Sequence, residues 1–159
     1  MSKLAIGSNA PDFTLPGDSG TSISLADYKG QYVVLYFYPK DDTPGCTAES
    51  CDFRDNFKNF EKLNTAIIGL SKDSVKSHDK FKAKHELNFP LASDEDGKVC
   101  EAYEVWKEKS MYGKKYMGIE RSTFLIDPKG KIVSMWRNVK VSGHVDEIKN
   151  SIQSMKKAA

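Results

Sequence analysis

The sequence predicts an α/β fold: a central mixed β-sheet with helices on both faces, preceded by a short N-terminal β-hairpin. Three observations carry that expectation. The run YVVLYFYP, Tyr32 to Pro39, is β-branched and aromatic without interruption, as in a strand buried on both faces. Phe53, Phe57 and Phe60 then recur at helical spacing with charges between them. From there strand-like and helix-like segments alternate to the end of the chain, with no internal repeat and no Pro/Ser-rich linker. At 159 residues the chain has the length of one domain with a substantial core, so residues 1–159 are read as a single unit.

Phe13 to Leu15 and Ile23 to Leu25, separated by the turn signal PGDSG, predict the N-terminal hairpin. After the buried strand, Thr47 to Leu63 predicts an amphipathic helix whose phenylalanine stripe packs into the core. TAIIGLS, Thr65 to Ser71, is a second strand, followed by a helix from about Ser74 to His85. Phe89 to Ala92 begins a short extended segment, after which DEDGKVCEAYEVW turns into another helix. Ser122 to Asp127 and Lys131 to Arg137, joined by PKG, predict an antiparallel hairpin. Val145 to Met155 has the i, i+3, i+7 apolar spacing of a closing helix. The order strand-helix-strand-helix, then strand-strand-helix, is a thioredoxin-like arrangement.

Composition narrows the function. Apolar and charged fractions of 39% and 29% are those of an ordinary globular protein, which argues against disorder. No apolar run approaches the roughly 18 residues that a membrane helix needs. The N-terminus MSKLAIGSNAPDF has no continuous apolar segment and no small-residue cleavage site, so no signal peptide is expected and the cytoplasm is the simplest address. A net charge of +2, with both signs mixed along the chain, implies neither a nucleic-acid nor a membrane partner. Lys114-Lys115 and Lys156-Lys157 read as solvated faces. Three cysteines are too few, and odd in number, for a disulfide-stapled secreted domain.

Two of those cysteines fall in YFYPKDDTPGCTAESCDF, Tyr36 to Phe53, where a buried strand gives way to turn residues and then to a helix. Ligands and chemistry collect at the carboxyl ends of strands in α/β sheets, where the next helix presents unpaired N–H groups. Cys46 stands at such an end. Pro44 and Gly45 favour a sharp, closely packed turn before it, and the first helical turn's donors favour a thiolate, which is a nucleophile. The competing reading is a small buried hydrophobe. Thr43 can place a hydroxyl beside the sulfur or serve as a plain turn or helix cap.

The pattern P-x-x-x-T-x-x-C, here Pro39, Thr43 and Cys46, resembles the active-site signature of peroxiredoxins. The longer PKDDTPGCTAESCDFRD resembles the bacterioferritin comigratory protein, or peroxiredoxin Q, subfamily, in which a second cysteine lies five residues after the first. The resemblance continues through GSNAPDFTLPG, FPLASDEDGKV and GIERSTFLIDPKGKI to the closing helix. It implies thiol-dependent reduction of hydrogen peroxide and organic hydroperoxides, with recycling by thioredoxin or a similar thiol reductant. It also implies a monomer. In that alignment Cys46 is the peroxidatic thiolate, Thr43 the hydroxyl that holds it and the peroxide, and Pro39 the wall that shields it. Arg121 matches the active-site arginine, and Cys51 the resolving cysteine found in many members.

Those residue types suit the chemistry. Thiolate attack on one peroxide oxygen releases the other with negative charge, so donors must face both the sulfur and the departing oxygen. Arg121, the Thr43 hydroxyl and the Cys46 amide are candidates. Arginine stays charged at any relevant pH, although Arg121 could equally be a surface ion-pair partner. Glu49, one turn after Cys46, could orient the arginine or simply favour the helix N-terminus. The sulfenic acid formed must meet a thiol or be oxidised to a sulfinic acid, which gives Cys51 a purpose, the competing reading being a buried helical cysteine.

Cys100, at apolar helical spacing in KVCEAYEVW, is expected in the core and is the fallback resolving thiol. His78, His85 and His144 lack paired spacing, so no metal site is expected, and no cofactor is required. Trp106 and Trp136 are expected in or beside the core. Other functions that the pattern leaves open are a thiol-disulfide oxidoreductase, a non-enzymatic redox sensor or holdase, and a one-cysteine peroxidase with an external resolving thiol.

Overall fold

The structure, a computed structural model, describes residues 4–158. Strands β1 (Thr14–Pro16) and β2 (Ser22–Ser24) pair antiparallel with Leu15 opposite Ile23, which is the expected N-terminal hairpin. The buried run becomes β3 (Tyr32–Phe37). Two helices follow, α1 (Pro44–Asp55) and α2 (Phe57–Lys62), then β4 (Thr65–Ser71), α3 (Val75–His85), β5 (Leu91–Ser93) and α4 (Lys98–Ala102). The second half holds β6 (Trp106–Met111), β7 (Lys114–Ile119), β8 (Ser122–Ile126), β9 (Ile132–Trp136) and α5 (His144–Ala158).

The main sheet runs β5-β4-β3-β8-β9. β3 is its middle strand, parallel to β4 with Tyr36 opposite Gly69, and antiparallel to β8 with Phe37 opposite Ser122. Alternate β3 side chains enter two separate cores, which explains why the run is apolar throughout. Val33, Leu35 and Phe37 pack with Cys100, Tyr103 and Phe124 on one side. Val34, Tyr36 and Tyr38 pack with Cys46, Phe53, Phe60 and the α5 residues Ile148 and Ile152 on the other. This is the thioredoxin-like α/β arrangement. None of the described helices is long and apolar enough to cross a membrane.

Three elements differ from the sequence reading. The helix expected over Thr47 to Leu63 starts earlier, at Pro44, and breaks at Asn56, whose side-chain amide donates to the Asp52 carbonyl at 2.8 Å. Such local bonding competes with the helical ladder. The helix expected after DEDG shrinks to α4, begun by Asp94, whose carboxylate accepts from the amides of Val99 at 3.3 Å and Cys100 at 2.8 Å. The β6–β7 hairpin was not anticipated. Its strands are mostly solvated and charged, so they carry no apolar alternation, and its turn is marked by Tyr112 and Gly113, with φ of +53° and +79°.

Candidate active site

Because β8 lies antiparallel to β3, its first residue, Ser122, stands beside Phe37 at the carboxyl end of the central strand. Arg121 therefore arrives where α1 begins. Helix α1 has Thr43 as its N-cap and Pro44 at its first position, where a missing N–H costs nothing. The Thr47 amide donates to the Thr43 carbonyl at 2.8 Å, so the first turn is closed and Cys46 stands within it. Cys46 is fully buried, as are Glu49 and Ser50 of the same helix.

One guanidinium joins two of these groups. Arg121 Nη2 donates to Cys46 Sγ at 3.2 Å and Nη1 donates to Glu49 Oε1 at 2.7 Å. Gly45 makes room for it, since a Cβ there would lie 3.1 Å from Arg121 Nη2. Glu49 thus holds the arginine by an ion pair as well as standing in the helix of Cys46. Burial pushes the Glu49 carboxyl up to about 7, against the opposing pull of Arg121, and among the described residues its Oε2 has no hydrogen-bond partner.

Helix α1 is fixed to the sheet just beyond these residues. Tyr36 Oη and Ser50 Oγ share a hydrogen bond of 2.8 Å, and the Tyr36 ring stacks on Phe53 with centroids 4.6 Å apart. Gly69 on β4 clears the space, because a Cβ there would meet Tyr36 Cζ and Oη at 2.9 Å.

The other expected site residues fall as follows. Thr43 Oγ1 donates to the Lys40 carbonyl at 2.9 Å, so its hydrogen is not turned to the sulfur. Pro39 is exposed and lines an open pocket of about 460 Å³ together with Arg121, Val139, Lys109 and Tyr116. Cys51 is half-buried on α1, and all three cysteines are free thiols. Cys100 is buried on the opposite side of the main sheet from Cys46, and burial pushes its thiol well up. A more enclosed crevice of about 260 Å³, at the far end of β3 beside Val33 and Ile126, contains no thiol.

Lys109 was not singled out in the sequence because it sits on the unrecognised hairpin. Its stem lies over Gly118, and burial together with Arg121 holds its ammonium below the usual lysine value, while the Cys46 thiolate opposes that shift. Among the described residues one three-donor group has the spacing for a cation, Asp41, Asp73 and His78, within 4.8 Å of one another, and it includes no cysteine.

The AhpC/TSA family's sequence pattern matches residues 6–135. Peroxiredoxin Bcp of Bacillus subtilis is 55% identical over 152 residues, covering 96% of this chain and 97% of that protein. A solved structure of a cysteine-to-serine variant of peroxiredoxin Q from Xylella fastidiosa superposes with a TM-score of 0.93 at 45% identity, over 98% of this chain and 99% of that one. A ligand-complex structure of the Xanthomonas campestris bacterioferritin comigratory protein, described for its alkyl peroxide reduction activity, has a TM-score of 0.88 at 46% identity, over 98% of this chain and 99% of that one. A buried cysteine in the first turn of a helix, held by an arginine just before the neighbouring strand, is thus found in a sequence similar to these proteins along nearly its whole length: the chain belongs to the AhpC/TSA family, in its Bcp/peroxiredoxin Q group, and is a peroxiredoxin, a thiol peroxidase.

Proposed function

We propose that this chain reduces hydrogen peroxide and organic hydroperoxides through Cys46, uses Cys51 as its resolving thiol, and is recycled by thioredoxin or a similar dithiol. The observation that carries the reading is the 3.2 Å contact from Arg121 Nη2 to Cys46 Sγ. A permanent cation there favours the thiolate and is placed to stabilise charge on the departing oxygen. The alkyl peroxide reduction activity of the Xanthomonas campestris relative supports the organic part of the substrate range.

In the first step the Cys46 thiolate attacks the nearer peroxide oxygen. The S–O bond forms as the O–O bond breaks, and the departing alkoxide or hydroxide takes up a proton, leaving a sulfenic acid and an alcohol or water. Arg121 donates to the sulfur and the peroxide. Thr43 Oγ1, its hydrogen engaged by the Lys40 carbonyl, keeps its lone pairs for the peroxide O–H. Pro39 walls the pocket. In the second step the Cys51 thiol attacks the sulfenic sulfur, water leaves, and a Cys46–Cys51 disulfide remains for the external dithiol to reduce.

Cys100 is the weaker resolving candidate because the main sheet separates it from Cys46. The protein acts as a single-domain monomer in the cytoplasm and needs no cofactor. The test is steady NADPH consumption with peroxide, thioredoxin and thioredoxin reductase, joined to peptide mapping after one equivalent of peroxide. A single turnover that stops, or a mapped disulfide lacking Cys46, overturns the reading. Turnover only with a small external thiol, and no internal disulfide, leaves a one-cysteine cycle instead.

A further inference from the structure

Residues 38–43 connect β3 to α1, and they set where Cys46 stands against Arg121. Pro39, Lys40 and Asp42 are exposed, so beyond the buried Tyr38 packing does not fix this segment. Asp41 does. Its Oδ1 accepts from Tyr38 Oη at 2.6 Å, and its Oδ2 accepts from Ser77 Oγ and from His78 Nδ1, each at 2.8 Å. Its amide donates to Asp73 Oδ2 at 2.8 Å, and that oxygen also accepts from Ser71 Oγ at 2.6 Å. Beside it, Asp42 takes the left-handed φ of +60° and bonds Lys84 at 2.8 Å and His85 at 3.1 Å. The turn before the peroxidatic helix is therefore pinned to both ends of α3.

The hydrogen bonds also count protons. His78 Nε2 lies 2.9 Å from the Ala92 carbonyl, which only accepts, so Nε2 carries a hydrogen. The 2.8 Å contact between Nδ1 and Asp41 needs another. The Asp41–His78 pair thus holds one proton more than a neutral imidazole beside an ionised carboxylate, with both side chains essentially sealed from solvent at 4% and 0% exposure. Burial alone would push His78 down. The hydrogen bond and charge of Asp41, the Ala92 carbonyl and the charge of Asp73 outweigh it, so the net direction is up.

We propose that Asp41 and His78 are positioning residues of the peroxidase cycle, the fixed base from which α1 opens after oxidation and to which it closes again with Cys46 against Arg121. This inference rests on the reading of Cys46 as the peroxidatic and Cys51 as the resolving thiol. A pinned turn keeps the closed state populated, which favours fast attack on peroxide; a released turn favours opening, hence disulfide formation. The two steps then respond in opposite directions to loss of the pair.

The experiment measures both steps in the full-length chain carrying Asp41→Asn, with Tyr38→Phe as a milder variant that removes one hydroxyl donor. Ile152→Val, in the α5 core and without a hydrogen bond to the turn, is the control for general destabilisation. Stopped-flow fluorescence follows sulfenate formation, mass spectrometry follows the partition between disulfide and sulfinic acid, and ring ¹⁵N shifts report His78. Asp41→Asn should slow sulfenate formation roughly tenfold to a hundredfold, the scale of an ångström-sized misplacement. It should also raise the peroxide concentration needed for sulfinic acid, and lower the pH at which His78 loses its second ring proton. Tyr38→Phe should move both rates the same way by less. Both rates within about twofold of wild type, or both slowed together as in Ile152→Val, overturn the inference while leaving the peroxidase reading standing. A wild type that forms no sulfenate at Cys46 overturns both.

Discussion

Arg121 and Glu49 meet at 2.7 Å inside the fold, and the same guanidinium turns its second amino group to Cys46. Glu49 is one helical turn from Cys46, so the two acceptors stand on one face of α1, spaced for a planar fork. A carboxylate with no exposure is costly to bury, and a stable fold alone gains little from it. We propose that its use is to fix the direction of the arginine.

Arg121→Ala should therefore slow sulfenate formation by roughly 10²–10³-fold, the effect of losing one donor to developing charge. Arg121→Lys should recover little of it, because an ammonium cannot span Glu49 and the sulfur with a rigid fork. Thr43→Val should slow the same step by less, since its hydroxyl is engaged with Lys40 and the arginine remains. Stopped-flow traces with normal oxidation and slow thioredoxin-dependent reduction would remove these residues from the peroxide site.

Glu49 also leaves a mark on stability against pH. Its carboxyl is raised from 4.5 to about 7 in the folded protein, chiefly by burial. Between those values the native state holds a proton that the unfolded chain has released, so stability falls as pH rises through the window. The stabilisation is complete below about 4.5 and lost above about 7. Denaturant midpoints should decline over that range in wild type, and the decline should flatten in Glu49→Gln, which keeps an acceptor for Arg121 and has no proton to lose. An unchanged slope in the variant would assign it to another group.

The parts of this site that were legible in the sequence are those set by local chain chemistry. The buried run fixed β3, Pro44 and Gly45 marked the strand-to-helix turn, and the 3.6-residue spacing of Phe53 and Phe60 gave the packed faces of α1 and α2. Partnerships between distant residues were not legible from local pattern. Arg121 reaches Cys46 only because β8 lies beside β3, and Asp41 finds His78 only because α3 crosses over the turn. The β6–β7 hairpin was missed for a different reason: a strand pair solvated on much of both faces leaves no apolar period, so Lys109 carried no signal.

Cys46→Ser should abolish peroxide turnover with the fold intact, because a serine hydroxyl is nearly unionised at neutral pH and a far weaker nucleophile. Cys100→Ser should spare recycling, and Cys51→Ser should stop disulfide formation and increase sulfinic acid at Cys46. The burial that pushes the Cys100 thiol up makes it a poor nucleophile as well as a distant one. Loss of recycling in Cys100→Ser with Cys51→Ser normal would reverse the assignment.

Oxidation should unwind α1, because both thiols lie on it. Five residues of regular helix advance about 7.5 Å and turn about 500°, which leaves the two Cα atoms roughly 8.6 Å apart on different faces. A disulfide spans at most about 7 Å between Cα atoms and needs the Cβ atoms to face each other. The bond cannot form on the intact helix. Reduced protein keeps the helix and with it the Arg121 contact, whereas the sulfenic form must open locally before Cys51 can reach the sulfur. Opening has to break the Arg121–Glu49 ion pair and the Tyr36–Ser50 hydrogen bond, so Tyr36→Phe should speed disulfide formation and protect against sulfinic acid. Hydrogen exchange on both redox states of the wild type, with Cys51→Ser as a control that stays reduced-like, tests the switch directly. Amides from about Thr47 to Arg54 should lose protection only when the bond forms, while those of α3, which holds the turn, keep theirs. Unchanged protection alongside a mapped Cys46–Cys51 disulfide would mean that the bond is made without helix opening, and the switch would have to be given up.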